Sequence, residues 1–125
     1  MICDTTFLSD LYDERNAGAR GPATGFLAAH RRVPFRVTVI SVGEPAVLFP
    51  DPNEARRFLC AYRILRLTPE VAYIAAAVDR ELIAAGGRLG ENDHWIAGFC
   101  RSYGQPLISR DHAFDRVRGL RRLPY

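Results

Sequence analysis

The segment from Thr68 to Gly87 constrains this chain more than any other. Thr68-Pro69-Glu70 offers a capping hydroxyl, a proline suited to the first helical position and an acid in the first turn. An alanine-rich stretch then runs to Ala85 and stops at Gly86-Gly87. A helix is predicted there. It is flanked by two short apolar runs, Ile64-Leu65-Arg66-Leu67 and Pro106-Leu107-Ile108-Ser109, each of the length and character of a buried strand. A strand, a helical segment and a second strand in that order point to parallel βαβ construction.

The rest of the chain repeats this alternation. Ile2 to Asp4 reads as a strand ending on a carboxylate. A helix follows, capped by Thr5 or Thr6, with Phe7, Leu8 and Leu11 as its apolar stripe. A second helical segment is expected over about 17–32, with its start blurred by Gly18, Gly21 and Pro22. Val37 to Val42 is β-branched and apolar and reads as a strand. Gly43-Glu44-Pro45 reads as the start of a short helix broken by Pro50 and Pro52. Asp51 or Asn53 caps the next, with Ala55, Phe58, Leu59 and Tyr62 on its core side. Glu91 and Asn92 open a helix through Trp95, Ile96 and Phe99 to near Gly104. Asp111 to Phe114 is a turn or helical start, and Leu120 to Leu123 is a last edge strand. The expected fold is α/β: a three-layer α/β/α sandwich with a central, mainly parallel sheet of four to five strands. No repeat or linker interrupts residues 1–125, which are read as one domain.

Composition serves mainly to exclude. Hydrophobic residues make up 48% and charged residues 25%, an ordinary globular balance, and no apolar run reaches the roughly 20 residues that span a bilayer. With Asp4 where a secretory leader would be basic and apolar, a cytoplasmic location is expected. Cys3, Cys60 and Cys100 are odd in number and widely spaced, which argues for buried reduced thiols rather than a disulfide framework or a zinc site. The formal charge is +3, and all 17 basic residues are arginine, so any mechanism that requires lysine is ruled out. Guanidinium groups suit phosphate, and the mild positive charge is compatible with a nucleic-acid substrate.

Ligands of open parallel sheets sit outside the carboxyl ends of the strands. Asp4 ends the first strand, Glu44 follows the second and Asp111 follows the fourth, while Asp93 opens the helix leading to that fourth strand. Singly, each has a structural reading: Asp4 as a helix cap, Asp93 as a first-turn acid, Asp111 in an Asx turn, Glu44 as a solvated loop acid. Four carboxylates converging without basic partners would repel one another unless a hard cation sat among them, and oxygen-only donors suit Mg²⁺ or Mn²⁺.

Three stretches carry a more specific likeness. Ile2-Cys3-Asp4-Thr5-Thr6-Phe7-Leu8 resembles the opening of VapC-like PIN domains, a strand ending in Asp-Thr before a short apolar helix. Gly90-Glu91-Asn92-Asp93-His94-Trp95-Ile96-Ala97 is similar to that family's second signature, and Leu107-Ile108-Ser109-Arg110-Asp111 through Leu120 to its third. The resemblance implies a Mg²⁺- or Mn²⁺-dependent endoribonuclease, the toxin of a toxin–antitoxin pair. On it, Asp4, Glu44, Asp93 and Asp111 form the acidic quartet, with Asp4, Asp93 and Asp111 as metal ligands and Glu44 at a second metal or orienting water. Thr5, Asn92, Ser109 and Arg110 would position the quartet or the phosphate. A homodimer and a VapB-like antitoxin are the partners implied, with Trp95, Phe99 and the helix from Glu70 to Ala85 offering apolar contact surface.

The chain departs from the pattern in three places. Thr6 stands where asparagine is usual, so an amide contact to the site is expected to be lost. Pro45 directly follows Glu44. Ala113 replaces a further acid, for which Asp115 is the candidate substitute. A haloacid-dehalogenase-type phosphatase would need an aspartate at position 6, a response-regulator receiver needs a lysine, and a dinucleotide site needs a glycine-rich turn in place of Asp4-Thr5-Thr6. The competing reading is a PIN-like domain that binds RNA or protein without cutting.

Overall fold

The computed structural model describes residues 1–47 and 49–125. Five short strands, β1 (Ile2–Cys3), β2 (Arg36–Thr38), β3 (Arg63–Leu65), β4 (Leu107–Ile108) and β5 (Arg122–Leu123), form one sheet in the order β3-β2-β1-β4-β5. Every pairing is parallel. Six helices connect them: α1 (Thr5–Asn16), α2 (Pro22–Ala29), α3 (Val39–Ala46), α4 (Pro52–Leu59), α5 (Pro69–Ala84) and α6 (Glu91–Tyr103). A 3₁₀ turn spans His112–Arg116.

Side chains alternate across each strand, so one sheet serves two cores. Ile2, Leu65 and Leu107 pack with Val71, Val78, Ile96 and Phe99 under α5 and α6. Cys3, Val37 and Ile108 pack with Phe7, Leu8, Leu11 and Leu59 on the opposite face. The result is the expected α/β/α sandwich. Between α5 and α6 the helices approach unusually closely, because residue 98 is glycine: a Cβ there would lie 2.6 Å from Ala75 Cβ.

Several local expectations are corrected. Val37 to Val42 is not one strand; β2 ends at Thr38 and α3 begins at once. The Thr38 hydroxyl accepts from the Ser41 amide at 2.9 Å, which caps the helix. A longer β2 would also lack a partner, since β3 ends at Leu65, paired with Thr38. Glu44 and Pro45 therefore lie late in α3 rather than opening a helix. The segment expected over 17–32 is helical only from Pro22 to Ala29. Gly18 adopts φ of 61°, and the Glu14 carboxylate takes up the amides of Gly21, Ala23 and Thr24, so α1 itself caps α2. Asp51 rather than Asn53 caps α4. Cys3 and Cys100 are buried as expected, but Cys60 is exposed. Phe99 is wholly buried and offers no surface to a partner; the large exposed apolar residues of α5 are Tyr73 and Ile83. No described helix is long and apolar enough to cross a membrane.

Candidate active site

The order in which strands are added reverses beside β1: the path steps from β1 to β2 and β3, then returns to β4 on the other side. Adjacent strands whose connections leave in opposite directions open a crevice at their carboxyl ends. Asp4 directly follows β1 and Ser109 directly follows β4, so these two residues floor the crevice. The Ser109 hydroxyl donates to Asp4 Oδ2 at 2.6 Å, both residues being buried.

Asp4 also caps α1, where Thr5 or Thr6 was expected to do so: its Oδ1 accepts from the Thr5 amide at 2.8 Å. The Thr6 hydroxyl donates to Oδ2 at 2.9 Å. The contact expected to be lost with asparagine is thus supplied by a hydroxyl. A carboxylate offers about four acceptor positions, and three of Asp4's are used, which leaves one for a ligand. Burial pushes the Asp4 carboxyl up, the three hydrogen bonds oppose this, and nearby Glu44 adds to the rise.

The remaining acids reach the same crevice from three directions. Asp93 lies in the first turn of α6, where the helix terminus favours negative charge. Its carboxyl is also raised, first by burial and then by repulsion from Asp4, Asp111 and Glu44 in turn. Asp4, Asp111 and Glu44 thus lie near enough to Asp93 to act on its charge. Asp111 caps the 3₁₀ turn through Oδ1, which accepts from the Ala113 amide at 2.8 Å, and its own amide donates to Ser109 Oγ at 3.0 Å. Glu44 is held at both oxygens: Thr5 Oγ1 donates to Oε2, and Asn92 Nδ2 donates to Oε1 at 2.8 Å. Thr5, Asn92 and Ser109 are therefore polar struts between the acids.

None of the four acids has an arginine or histidine salt-bridge partner among the described residues. Arg110 does not enter the cluster. Its guanidinium pairs with Asp10 at 3.0 Å, and Asp10 also accepts from the Tyr125 hydroxyl. Asp115 does not join either: Arg122 grips both its oxygens, at 2.7 and 2.9 Å, and holds its carboxyl down at about 2.

An all-oxygen set of uncompensated carboxylates suits a hard divalent cation. No group of three or more His, Cys, Asp or Glu among the described residues closes into a ready-made cage.

A sequence model of the PIN domain matches residues 49–120, more than half of the chain. The chain belongs to the PIN domain family. No curated protein matches it by sequence. The fold of this PIN domain is similar to that of solved structures of toxin–antitoxin proteins. One is VapBC2 from Rickettsia felis, bound to a DNA fragment from its promoter, at 14% identity and a TM-score of 0.82, covering 98% of this chain and 96% of that one. Another is VapBC-1 from nontypeable Haemophilus influenzae, at 20% identity and a TM-score of 0.78, covering 98% and 96%. A third is a toxin–antitoxin complex from Klebsiella pneumoniae, at 21% and 0.72, covering 95% and 93%.

Two residues of the PIN domain's site were missed in the sequence. Thr6 is one: a hydroxyl two residues after Asp4 can reach back to its carboxylate. Thr38, which fixes where α3 starts and hence where Glu44 sits, was hidden inside a β-branched run. The signal that would have exposed it is the pairing of Thr38 with Ser41 at helix-cap spacing.

Proposed function

We propose that this PIN domain is a Mg²⁺- or Mn²⁺-dependent endoribonuclease acting as the toxin of a toxin–antitoxin pair in the cytoplasm. The observation that carries the reading is the set of four carboxylates without ion pairs, two of them with raised pKa, at the crevice where the strand connections diverge. Asp4, Asp93 and Asp111 would hold the metal. When bound, such an ion lowers the pKa of a water and offsets charge on a phosphoryl group. Ser109 and Thr6 fix the Asp4 carboxylate through Oδ2, and Thr5 and Asn92 fix Glu44, so the acids keep their positions as substrate enters. Arg110, on the rim, is free to exchange Asp10 for a substrate phosphate, since its side chain is 62% exposed.

The solved relatives, named as toxin–antitoxin structures, support a VapB-like antitoxin as partner. A homodimer through the outer face of α5, where Tyr73 and Ile83 are exposed, completes the reading. The test is cleavage of RNA by purified protein with Mn²⁺, against chelator and against Asp93→Asn. Loss of cleavage in both controls supports it, and cleavage by a well-folded Asp93→Asn protein overturns it. Two observations favour the second reading, a domain that binds without cutting: Glu44 is engaged at both oxygens, and among the described residues no three acids form a closed cage. Metal-independent RNA binding with no cleavage at any Mn²⁺ concentration would decide for it.

A further inference from the structure

The opposite, amino edge of the sheet carries the reverse charge. Arg36 is the first residue of β2, Arg63 the first of β3, and Arg121 directly precedes β5. Because all strands run parallel, these positions share one edge. Arg36 and Arg63 are in register on neighbouring strands, about 4.8 Å apart. Like charges so placed are unfavourable, and no carboxylate separates them. Arg36 instead donates to the neutral amide oxygen of Gln105 at 2.8 Å. Arg36, Arg63, Arg66 and Arg121 have no acidic partner among the described residues.

This edge is also concave. A hollow of about 160 Å³ shares Arg63 and Tyr103 with one of about 490 Å³ and Gln105 with another of about 450 Å³. Arginines line all three, and no acid lines any of them. Tyr103 lies among them with its ring stacked on Phe99 and 40% exposed. Unpaired guanidinium groups match phosphate oxygens in geometry as well as charge. An exposed aromatic among them adds a surface on which a base can stack. An acidic peptide would satisfy the charge but make no use of the ring.

We propose that the groove formed by Arg36, Arg63, Arg66, Arg121, Gln105 and Tyr103 is a second, non-catalytic site that binds the phosphate backbone of single-stranded RNA. The site lies at the far end of the strands from the acids. It rests on the ribonuclease reading only for the choice of RNA as ligand, and it gives one molecule an acidic cutting edge and a basic holding edge. RNA that reaches both edges is held by phosphate contacts the acids cannot make.

The test separates holding from cutting. A labelled single-stranded RNA of about fifteen nucleotides is titrated in chelator, so that no metal-dependent cleavage occurs, and anisotropy is followed against salt. Arg63→Gln/Arg66→Gln alters two exposed side chains and is expected to melt like the wild type. It should bind about tenfold more weakly and lower the log–log salt slope by roughly 1.4, or 0.7 for each lost single-strand contact. Tyr103→Ala should weaken binding without changing the slope. Arg80→Gln, on the exposed face of α5, should change neither, and inorganic phosphate should compete only at far higher concentration than RNA. Binding that the double variant leaves unchanged, absence of RNA binding by the wild type, or displacement of RNA by a polyglutamate peptide at lower concentration than by unlabelled RNA would each overturn the site. Cleavage by the wild type with Mn²⁺ judges the ribonuclease reading separately.

Discussion

Gly98 offers a quantitative check on how the site is held. It lies in α6, whose first turn carries Asn92 and Asp93, at the point where that helix meets α5. A Cβ at position 98 would lie 2.6 Å from Ala75 Cβ, 2.8 Å from its Cα and 3.0 Å from its backbone nitrogen. Ordinary contact begins at 3.4 Å, so Gly98→Ala forces the helices apart by several tenths of an ångström. Overpacking of this kind costs about 1–3 kcal/mol. Replacing a mid-helix glycine by alanine returns about 1 kcal/mol of helix propensity. The balance is a loss of about 1 kcal/mol, or roughly 4 °C in Tm for a chain of this size. Gly98→Val should cost about 3 kcal/mol, because its extra methyls meet the same wall. Ala75→Gly removes only the nearest of the three clashes, so in the Ala75→Gly/Gly98→Ala protein the coupling should be favourable but partial, about 0.5–1.5 kcal/mol. Thermal melts of the four proteins measure all of this. A Gly98→Ala protein that melts about 4 °C above wild type, as an unopposed helical glycine replacement would, refutes the close approach of α5 and α6. The displacement should also reach the site by pulling Asn92 from Glu44, so Mn²⁺-dependent cleavage should fall more than stability alone explains.

Asp111→Asn should raise the melting temperature of the metal-free protein, by easing its repulsion with Asp93, and should shrink the rise produced by Mn²⁺; equal melting of the two proteins in chelator, with no response to metal in either, would show that the acids do not act as one site. Asp4 and Asp93 hold their protons more tightly folded than unfolded, so their contribution to metal-free stability should decline as pH rises from about 4 through their raised values, and melts across that range in chelator, against Asp93→Asn, would reveal it. Asp115 behaves oppositely: its depressed carboxyl favours the fold above about 4 and loses that effect as pH falls through about 2, so Asp115→Asn should flatten the acid limb of the stability curve. Thr38→Ala should cost about 1–2 kcal/mol by uncapping α3 and, because Glu44 lies on that helix, should reduce cleavage at temperatures well below the melt.

The architecture was legible in the chain because α5 and α6 carry their own boundary signals. Thr68 caps α5 through the Val71 amide, and Gly104 ends α6 in the left-handed conformation at φ 58°. Asp4, Asp93 and Asp111 sit just beyond a strand or at a helix start, where sequence order determines place; Glu44 does not, because it lies late in α3. What could not be read was length. A β-branched run announces a strand but not where its neighbour ends; β3 stops at Leu65, and so β2 stops at Thr38. The fate of Arg110 and Asp115 was hidden for a similar reason. Their partners, Asp10 and Arg122, come from α1 and β5, and only the assembled sheet brings them within reach.

The structural and chemical readings of the acids are not alternatives. Asp4 and Asp111 are both helix caps, and Asp93 sits in a first helical turn. A cap needs an ionised or strongly accepting oxygen, and the free amides of the helix end favour that charge in return. Burial of Asp4 works against ionisation, and its three donors are the means by which the fold opposes that effect. Asp111 commits Oδ1 to the Ala113 amide, while Asp4 has one acceptor position to spare. The cap at Asp111 thus leaves its other oxygen without a donor, whereas the spare position of Asp4 lies on Oδ1, the capping oxygen, because Thr6 and Ser109 both donate to Oδ2. Three helix starts thus bring carboxylates to one crevice without any arginine paired to them among the described residues, and the amides of those helix starts help a stable fold to tolerate them there.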